Sequence, residues 1–515
     1  MSDIIENRPL VEKYYLKLSP PGLDDQTSDL ERVRAGLKAC GVEEVDAPLS
    51  VAVSIPRVLR ESGFAVTVSV GHVGRPRLLG IEPGDTTGRN FGLAIDLGTT
   101  NVVGMLVDLS TGGTVAESSE VNPQVALGED VLTRIHYCLN KGGLEELRAR
   151  AVECINTLAA RLAEKAGISP QEINCMSVSG NTTMAHLFLG LDPYHICRSP
   201  YVPVANRFGR IGAQEAGLDI NPDGIVYVLP NVGSYVGGDV LAGILVSGMH
   251  SRKEVSLLVD VGTNAEIVIG NSDWLLVCAG AAGPALEGGV VRFGMRAMPG
   301  AIDRVIIDPA SFEPKYSVIG GGKAKGLCGS ALIDLLAELF TVGLLDGRGR
   351  FAGPAKSARV IPYEGRAAYI VVPGGESATG QDIIITETDI DNLIRTKAAM
   401  YTVLSVVTRE LGITFMELAD FFIAGTFGAY IDAGKAVTIG MVPDIPLTKY
   451  RLLGNSSIIG ACRVLAGRDE TAELDRIASM ITYKEMNVST DFMSEFRAAM
   501  FLPHTDSSLF PGVQN

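Results

Sequence analysis

No basic run marks this sequence. Its 44 Lys and Arg stand against 59 Asp and Glu, a formal net charge of −15, which repels a phosphate backbone and makes nucleic acid an unexpected partner. Also missing is any run of about 20 residues free of charge and turn signals, so no membrane span is expected. The most apolar region, residues 421–442, carries Asp432, Lys435 and several glycines. The opening MSDIIENRPL has no basic-then-apolar leader pattern, and the expected location is the cytoplasm. The cysteines at 40, 138, 154, 175, 197, 278, 328 and 462 form no C-x-x-C, and the 6 histidines form no H-E-x-x-H. A disulfide framework and a catalytic zinc site are both disfavoured by those spacings.

What is present is material for large cores. Of 515 residues, 46% are apolar and 20% charged, which excludes an intrinsically disordered chain. The length predicts about three or four domains or lobes. The 59 glycines follow no Gly-X-Y period, so they mark tight turns or close backbone approach to a ligand rather than collagen.

Residues 1–25, with Pro9, Pro20, Pro21 and Gly22, read as an extended linker. Residues 26–90 read as a small α+β domain. Ser28 caps a helix running through Leu37, a second helix spans 48–61 with a bend at Pro56, and FAVTVSV and LLGIEP form strands around the turn GHVGRP. From Phe91 the texture changes. The pattern strand, tight turn, strand, hairpin, strand occurs at GLAIDLGTTNVVGMLVDLSTGGTVAESSEV and again at VSLLVDVGTNAEIVIGNSDWLLVCAG. Placing Asp96 on Asp260 brings Gly98 onto Gly262, Thr99 onto Thr263 and Thr100 onto Asn264. Such a repeat predicts two similar lobes, at 91–250 and 251–482, with a cleft receiving both turns. Residues 483–515 form a less periodic tail.

The turns suggest a chemistry. In IDLGTTN, Gly98 lets the backbone approach a ligand, while Thr99, Thr100 and Asn101 add donors to the exposed N–H groups, a nest suited to phosphate oxygens. Asp96 cannot itself face phosphate favourably; it suits a hydrated cation, Mg²⁺ above all. Gly262, Thr263, Asn264 and Asp260 repeat the set. One Asp-x-Gly-Thr turn alone would be equally well a structural turn; two with matching hairpins point to a nucleotide and to phosphoryl chemistry. A third motif, FFIAGTFGAYI, runs a strand into Gly425, Thr426, Phe427 and Gly428, a flat approach suited to adenine or ribose, or else a plain strand–helix turn.

This order of two phosphate turns and an adenosine turn resembles the acetate and sugar kinase, heat-shock chaperone and actin ATPase superfamily over residues 90–515. The resemblance implies an α/β fold with duplicated, ribonuclease H-like lobes behind the small N-terminal α+β domain. It implies ATP as ligand, with Asp96 and Asp260 holding hydrated Mg²⁺. It also implies an acidic residue that polarises the attacking water. Asp239 in NVGSYVGGDVLAGIL best matches that role, with helix capping as its plain alternative and Glu266 as a weaker candidate.

Longer strings narrow the resemblance. SGNTTMAHLFLGLDP, AGPALEGG, CGSALIDLLAELF, GTFGAYID, GNSSIIGA and RPLVEKYYLKLSPPGLDDQTSDLERV are similar to the reductive activators of corrinoid proteins. That family implies ATP-dependent reduction of Co(II) to Co(I) on a corrinoid protein or corrinoid-dependent methyltransferase, and a homodimer. It also implies a ferredoxin-like domain with a 2Fe–2S cluster ahead of the linker. Only Cys40 precedes residue 138, so this chain is not expected to ligate that cluster, and the electron is expected from a separate donor such as a ferredoxin domain. A small-molecule kinase of the same superfamily and an ATP-cycled protein-binding module are the alternative functions. His186 reads as a core residue or a partner contact. Cys278 and Cys328 read as inert thiols, though near the site. Arg292 and Arg296 read as cleft-lining or salt-bridged, and Asn455 with Ser456 as a helix cap.

Overall fold

The computed structural model describes residues 8–262, 265–280, 284–287, 289–352, 356–425, 430–485 and 491–513. They divide into two compact units, residues 1–246 with 456–480, and residues 247–455 with 481–515.

The first unit begins with a three-stranded antiparallel sheet in the order Val11–Lys17, Ala65–Gly71, Arg77–Pro83. Residues 11–17, expected within an extended linker, are thus an edge strand. Leu16 joins Val33, Leu37, Leu59, Val66 and Val68 in one core, and that burial overrides the polar look of the segment. The helix Asp29–Ala39 is capped as expected, Ser28 Oγ accepting from the Glu31 N–H at 3.4 Å. The single helix expected over 48–61 is two, Leu49–Ala52 and Ile55–Glu61. Pro56 has no N–H to donate to the Ala52 carbonyl, and its ring would clash there, so the helix restarts.

The large sheet of this unit has the order Gly113–Val121, Asn101–Asp108, Phe91–Leu97, Ile173–Ser179, Ile225–Val228, Ile211–Gly212. The first three strands are antiparallel and the next two run parallel to Phe91–Leu97. The helix Gly143–Ala166 buries Leu147, Ala151, Ile155, Leu158 and Leu162, a stripe at helical spacing, in the core with Leu93, Ile95 and Leu106. Residues 456–480, expected in the second lobe, belong here. The helix Ser456–Ala466 lies on the Gly92/Ala94/Asp96 face of the central strand. Ser457 meets Asp96, the Ala461 carbonyl accepts from Ser177 Oγ at 2.7 Å, and a Cβ on Gly92 would stand 3.3 Å from Leu465. Positions 457, 461 and 465 are one helix face, and the small residues of the strand make room for it.

The second unit has the same five-strand order: Leu275–Gly280, Ala265–Gly270, Ser256–Val261, Phe421–Ala424, Tyr450–Gly454, with Ile481–Tyr483 added at the opposite edge, beside Leu275–Gly280. Pairing senses match strand for strand through these five. Two three-stranded sheets, around Ala301–Ile307 and Arg366–Val372, and the helices Gly329–Thr341 and Glu387–Glu410 complete its core. The aperiodic tail is also structural. Leu502 and Phe510 are buried, and the buried Lys397 ammonium donates to the carbonyls of Phe501 and Pro503. Among the described residues no helix is long and apolar enough to cross a membrane.

Candidate functional site: the acidic glycine turns

In the first unit the turn after Phe91–Leu97 is held from behind. Asn122 Nδ2 donates to the Gly98 carbonyl at 2.9 Å, the Asn122 N–H donates to the Thr100 carbonyl at 2.9 Å, and Arg134 Nη2 donates to the Thr99 carbonyl at 2.5 Å. In a trans peptide the N–H points opposite to the C=O. With three successive carbonyls turned inward, the amides of Thr99, Thr100 and Asn101 face the other side, the arrangement a phosphate-binding nest requires. Asn181 Nδ2 donates to Thr99 Oγ1 at 3.1 Å, and Asn181 also caps the helix Thr182–Leu189 through the Met184 N–H at 2.9 Å.

Asp96 sits in register with Ser179 of the neighbouring parallel strand. Ser457 Oγ donates to Asp96 Oδ1 at 2.7 Å and lies 2.9 Å from Ser179 Oγ. Asp239 opens the helix Gly238–Ser247. Its N–H donates to the Gly180 carbonyl at 3.4 Å, and its Oδ1 accepts from the Val240 N–H at 2.9 Å. Its carboxyl is pushed up to about 6, by burial first and then by the negative charge of Asp96. Asp239 is therefore both a helix-start residue and a close neighbour of Asp96. Glycines permit this crowding. A Cβ on Gly237 would stand 2.4 Å from Asn181 Cα, and one on Gly180 would stand 2.8 Å from the Leu97 carbonyl oxygen.

In the second unit Asp260 pairs in register with Ala424 on one side and Glu266 on the other, so both carboxylates lie on one face of the sheet. Gly425 has φ +92°, and a Cβ there would stand 2.5 Å from the Val261 carbonyl oxygen and 2.7 Å from Asp260 Oδ1. Gly262 is half-buried at the turn. Thr263, Asn264, Thr426, Phe427 and Gly428 lie outside the described residues. The two units agree further than their sequences suggest. Gly180 against Leu97 corresponds to Gly425 against Val261, so the third motif has a counterpart at Ser179, Gly180 and Asn181. Sequence reasoning missed Ser179, Gly180, Gly237 and Ser457 as site residues. For Ser179 and Gly180 the signal is a shared pattern, an apolar strand ending in small residue, Gly, then Asn or Thr.

Other candidates fall elsewhere. His186 is fully buried, its Nδ1 2.7 Å from the Thr182 carbonyl oxygen and its pKa lowered by burial, so it is a core residue. Cys278 and Cys328 are buried, and burial pushes the Cys278 thiol up to about 12. Arg292 pairs with Glu364 at 3.4 Å and stacks over Tyr363. The helix expected to begin at Asn455 and Ser456 does begin there, spanning Ser456–Ala466, and its Ser457 meets Asp96.

Family models for RACo cover the chain in three adjoining pieces: the linker region over residues 2–88, the middle region over 91–252, and the C-terminal domain of RACo, the ASKHA domain, over 254–514. This chain belongs to the RACo family. It is 35% identical to the corrinoid activation enzyme RamQ of Eubacterium limosum over 79% of this chain and 69% of that protein. It is 25% identical to the methylated amine-specific Co(II) corrinoid protein reductase of Methanosarcina barkeri over 78% of this chain and 74% of that one. The solved structure of a reductive activator for a corrinoid, iron–sulfur protein matches with TM-score 0.93 and 41% identity, covering 100% of this chain and 82% of its own. The RACo chain thus has the duplicated acetate and sugar kinase, heat-shock and actin fold. Its own thiols do not fit the iron–sulfur cluster implied for the family. Cys154, Cys175 and Cys278 are buried, and burial raises their pKa, away from the thiolate a cluster needs; among the described residues no three His, Cys, Asp or Glu are grouped to hold a metal.

Proposed function

We propose that this chain is the ATP-driven part of a reductive activator, binding Mg·ATP at its acidic glycine turns and using hydrolysis to drive reduction of Co(II) to Co(I) on a corrinoid protein. The observation that carries the reading is the crowding of Asp96 and Asp239 beside a turn whose Gly98 and Thr99 carbonyls are tied back by Asn122 and Arg134. Two carboxylates placed together, one with a raised pKa, suit a cation and a proton acceptor.

Asp96, steadied by Ser457, would hold Mg²⁺ through its waters, and Asp260 is the carboxylate offered for the same task on the turn of the second unit. The ion, when bound, neutralises phosphate charge. The Thr99, Thr100 and Asn101 amides bind and orient the phosphates. Asp239 takes the proton from the attacking water at its carboxylate and is positioned for this by the Gly180 carbonyl and the Val240 N–H. Each Co(II) gains one electron from a donor outside this chain. RamQ and the amine-specific reductase, by their names, act on corrinoid proteins, which supports the same partner class here. The test is ATP turnover with and without a cognate Co(II) corrinoid protein, with Co(I) followed by its absorbance. Stimulated turnover with Co(I) formation is expected; turnover indifferent to every cognate corrinoid partner would remove the proposal. Phosphorylation of a small metabolite would instead favour a kinase.

A further inference from the structure

Among the described residues Arg134 is the largest of the fully buried side chains. Burying a guanidinium is costly unless it is paired, and buried arginines ordinarily meet a carboxylate. Here the acceptors are neutral. Nε donates to the Gly128 carbonyl at 2.9 Å, Nη1 to Gln124 Oε1 at 3.1 Å and toward Met184 Sδ at 3.1 Å, and Nη2 to the Thr99 carbonyl at 2.5 Å. Among the described residues no carboxylate lies within ion-pairing distance of it. Asp130, which caps the same helix, Val131–Tyr137, acts on it only through its field. Each of its three nitrogens is thus engaged, while the charge itself forms no ion pair. The side of the Thr99–Thr100 peptide opposite Arg134 is the side the amides face.

We propose that Arg134 is a positioning residue for the phosphate turn, its fork fixing the Thr99 carbonyl inward and its buried charge, which no ion pair neutralises, favouring a polyphosphate on the outer side of the turn. This rests on the reading of the turn as an ATP site and adds what selects a highly charged ligand there. Arg134 does not touch the ligand. It acts through the peptide it holds and through its field, which a low-dielectric interior screens weakly. A purely structural arginine would support any ligand of the site equally; a charge behind the turn discriminates by ligand charge.

The experiment compares Mg·ATP and adenosine binding to the full chain, by calorimetry and ligand-observed NMR, together with the melting temperature. Arg134→Gln is expected to weaken Mg·ATP roughly tenfold, the scale of one charge acting across a protein interior, and to leave adenosine affinity unchanged. Arg134→Lys, which keeps the charge, is expected to recover most of that loss. If Arg134→Gln does not fold, Gln124→Glu decides. It leaves the Thr99 contact intact but supplies the missing counter-ion, and should weaken Mg·ATP selectively. Equal losses for ATP and adenosine, or none in either variant, overturn the proposal. A wild-type chain that binds adenosine but not Mg·ATP would overturn the ATP reading itself, a distinct result.

Discussion

Asp239→Asn should make the protein more stable and less active, and the size of the first effect follows from the site. The carboxyl titrates at about 6 in the folded chain against 3.8 for an ordinary aspartate. At about 1.4 kcal/mol per tenfold, that gap amounts to about 3 kcal/mol of unfavourable free energy when the group is ionised. The half-buried side chain keeps some solvent contact, which lowers the figure toward about 2 kcal/mol. The sign is fixed by the raised value. Between the two pKa values the folded state binds more protons than the unfolded one, so the cost is absent below about 4, grows as pH rises, and is complete above about 6. Asparagine keeps the acceptor for the Val240 N–H and carries no charge. Urea denaturation at pH 8 should therefore show the variant more stable by about 2–3 kcal/mol, with the difference shrinking to near zero at pH 4. Steady-state ATP hydrolysis should fall by about two orders of magnitude or more, the usual contribution of a positioned base, with nucleotide binding retained. A variant no more stable at pH 8 than at pH 4 would refute the electrostatic reasoning. Hydrolysis at the wild-type rate would take the base role from Asp239 and give it to Glu266 or another group.

Asp96→Ala and Asp260→Ala should each abolish Mg·ATP turnover while the circular dichroism spectrum persists; a variant hydrolysing ATP at the wild-type rate loses its assigned role. Gly180→Ala places a Cβ 2.8 Å from the Leu97 carbonyl oxygen. It should cost about 1–3 kcal/mol of stability and weaken Mg·ATP binding, and calorimetry showing neither change would mean that the strand ends can move apart freely.

Much of the fold was legible because its signals are local. The strand–turn–strand repeat carries its own spacing, and the Asp96 and Asp260 turns fall at equivalent places in sheets of the same order. Three things were not legible. The strand Val11–Lys17 looks polar, and the partner that makes it a strand is distant in the chain, Lys17 pairing with Ala65 and Val11 with Gly71. The bend expected at Pro56 is a full break between Ala52 and Ile55, which the sequence does not tell apart from a bend. Ser457 is separated from Asp96 by 361 residues, and no local pattern announces such a meeting. Arg134 likewise reads as one more surface charge on a short helix until its burial is seen.

The chain leaves the first unit after Val246, returns at Ser456 and departs again after Met480. Neither unit can therefore be cut out as one uninterrupted stretch of gene. A fragment ending at Asn455 would keep every residue of both acidic turns yet strip Asp96 of the Ser457 hydroxyl, and would uncover the strand face that Ala461 and Leu465 occupy. For anyone dissecting this protein by truncation, a dead N-terminal piece says nothing against the turns. The informative dissection is a circular permutant, or a fusion that carries residues 456–480 along with the first 246.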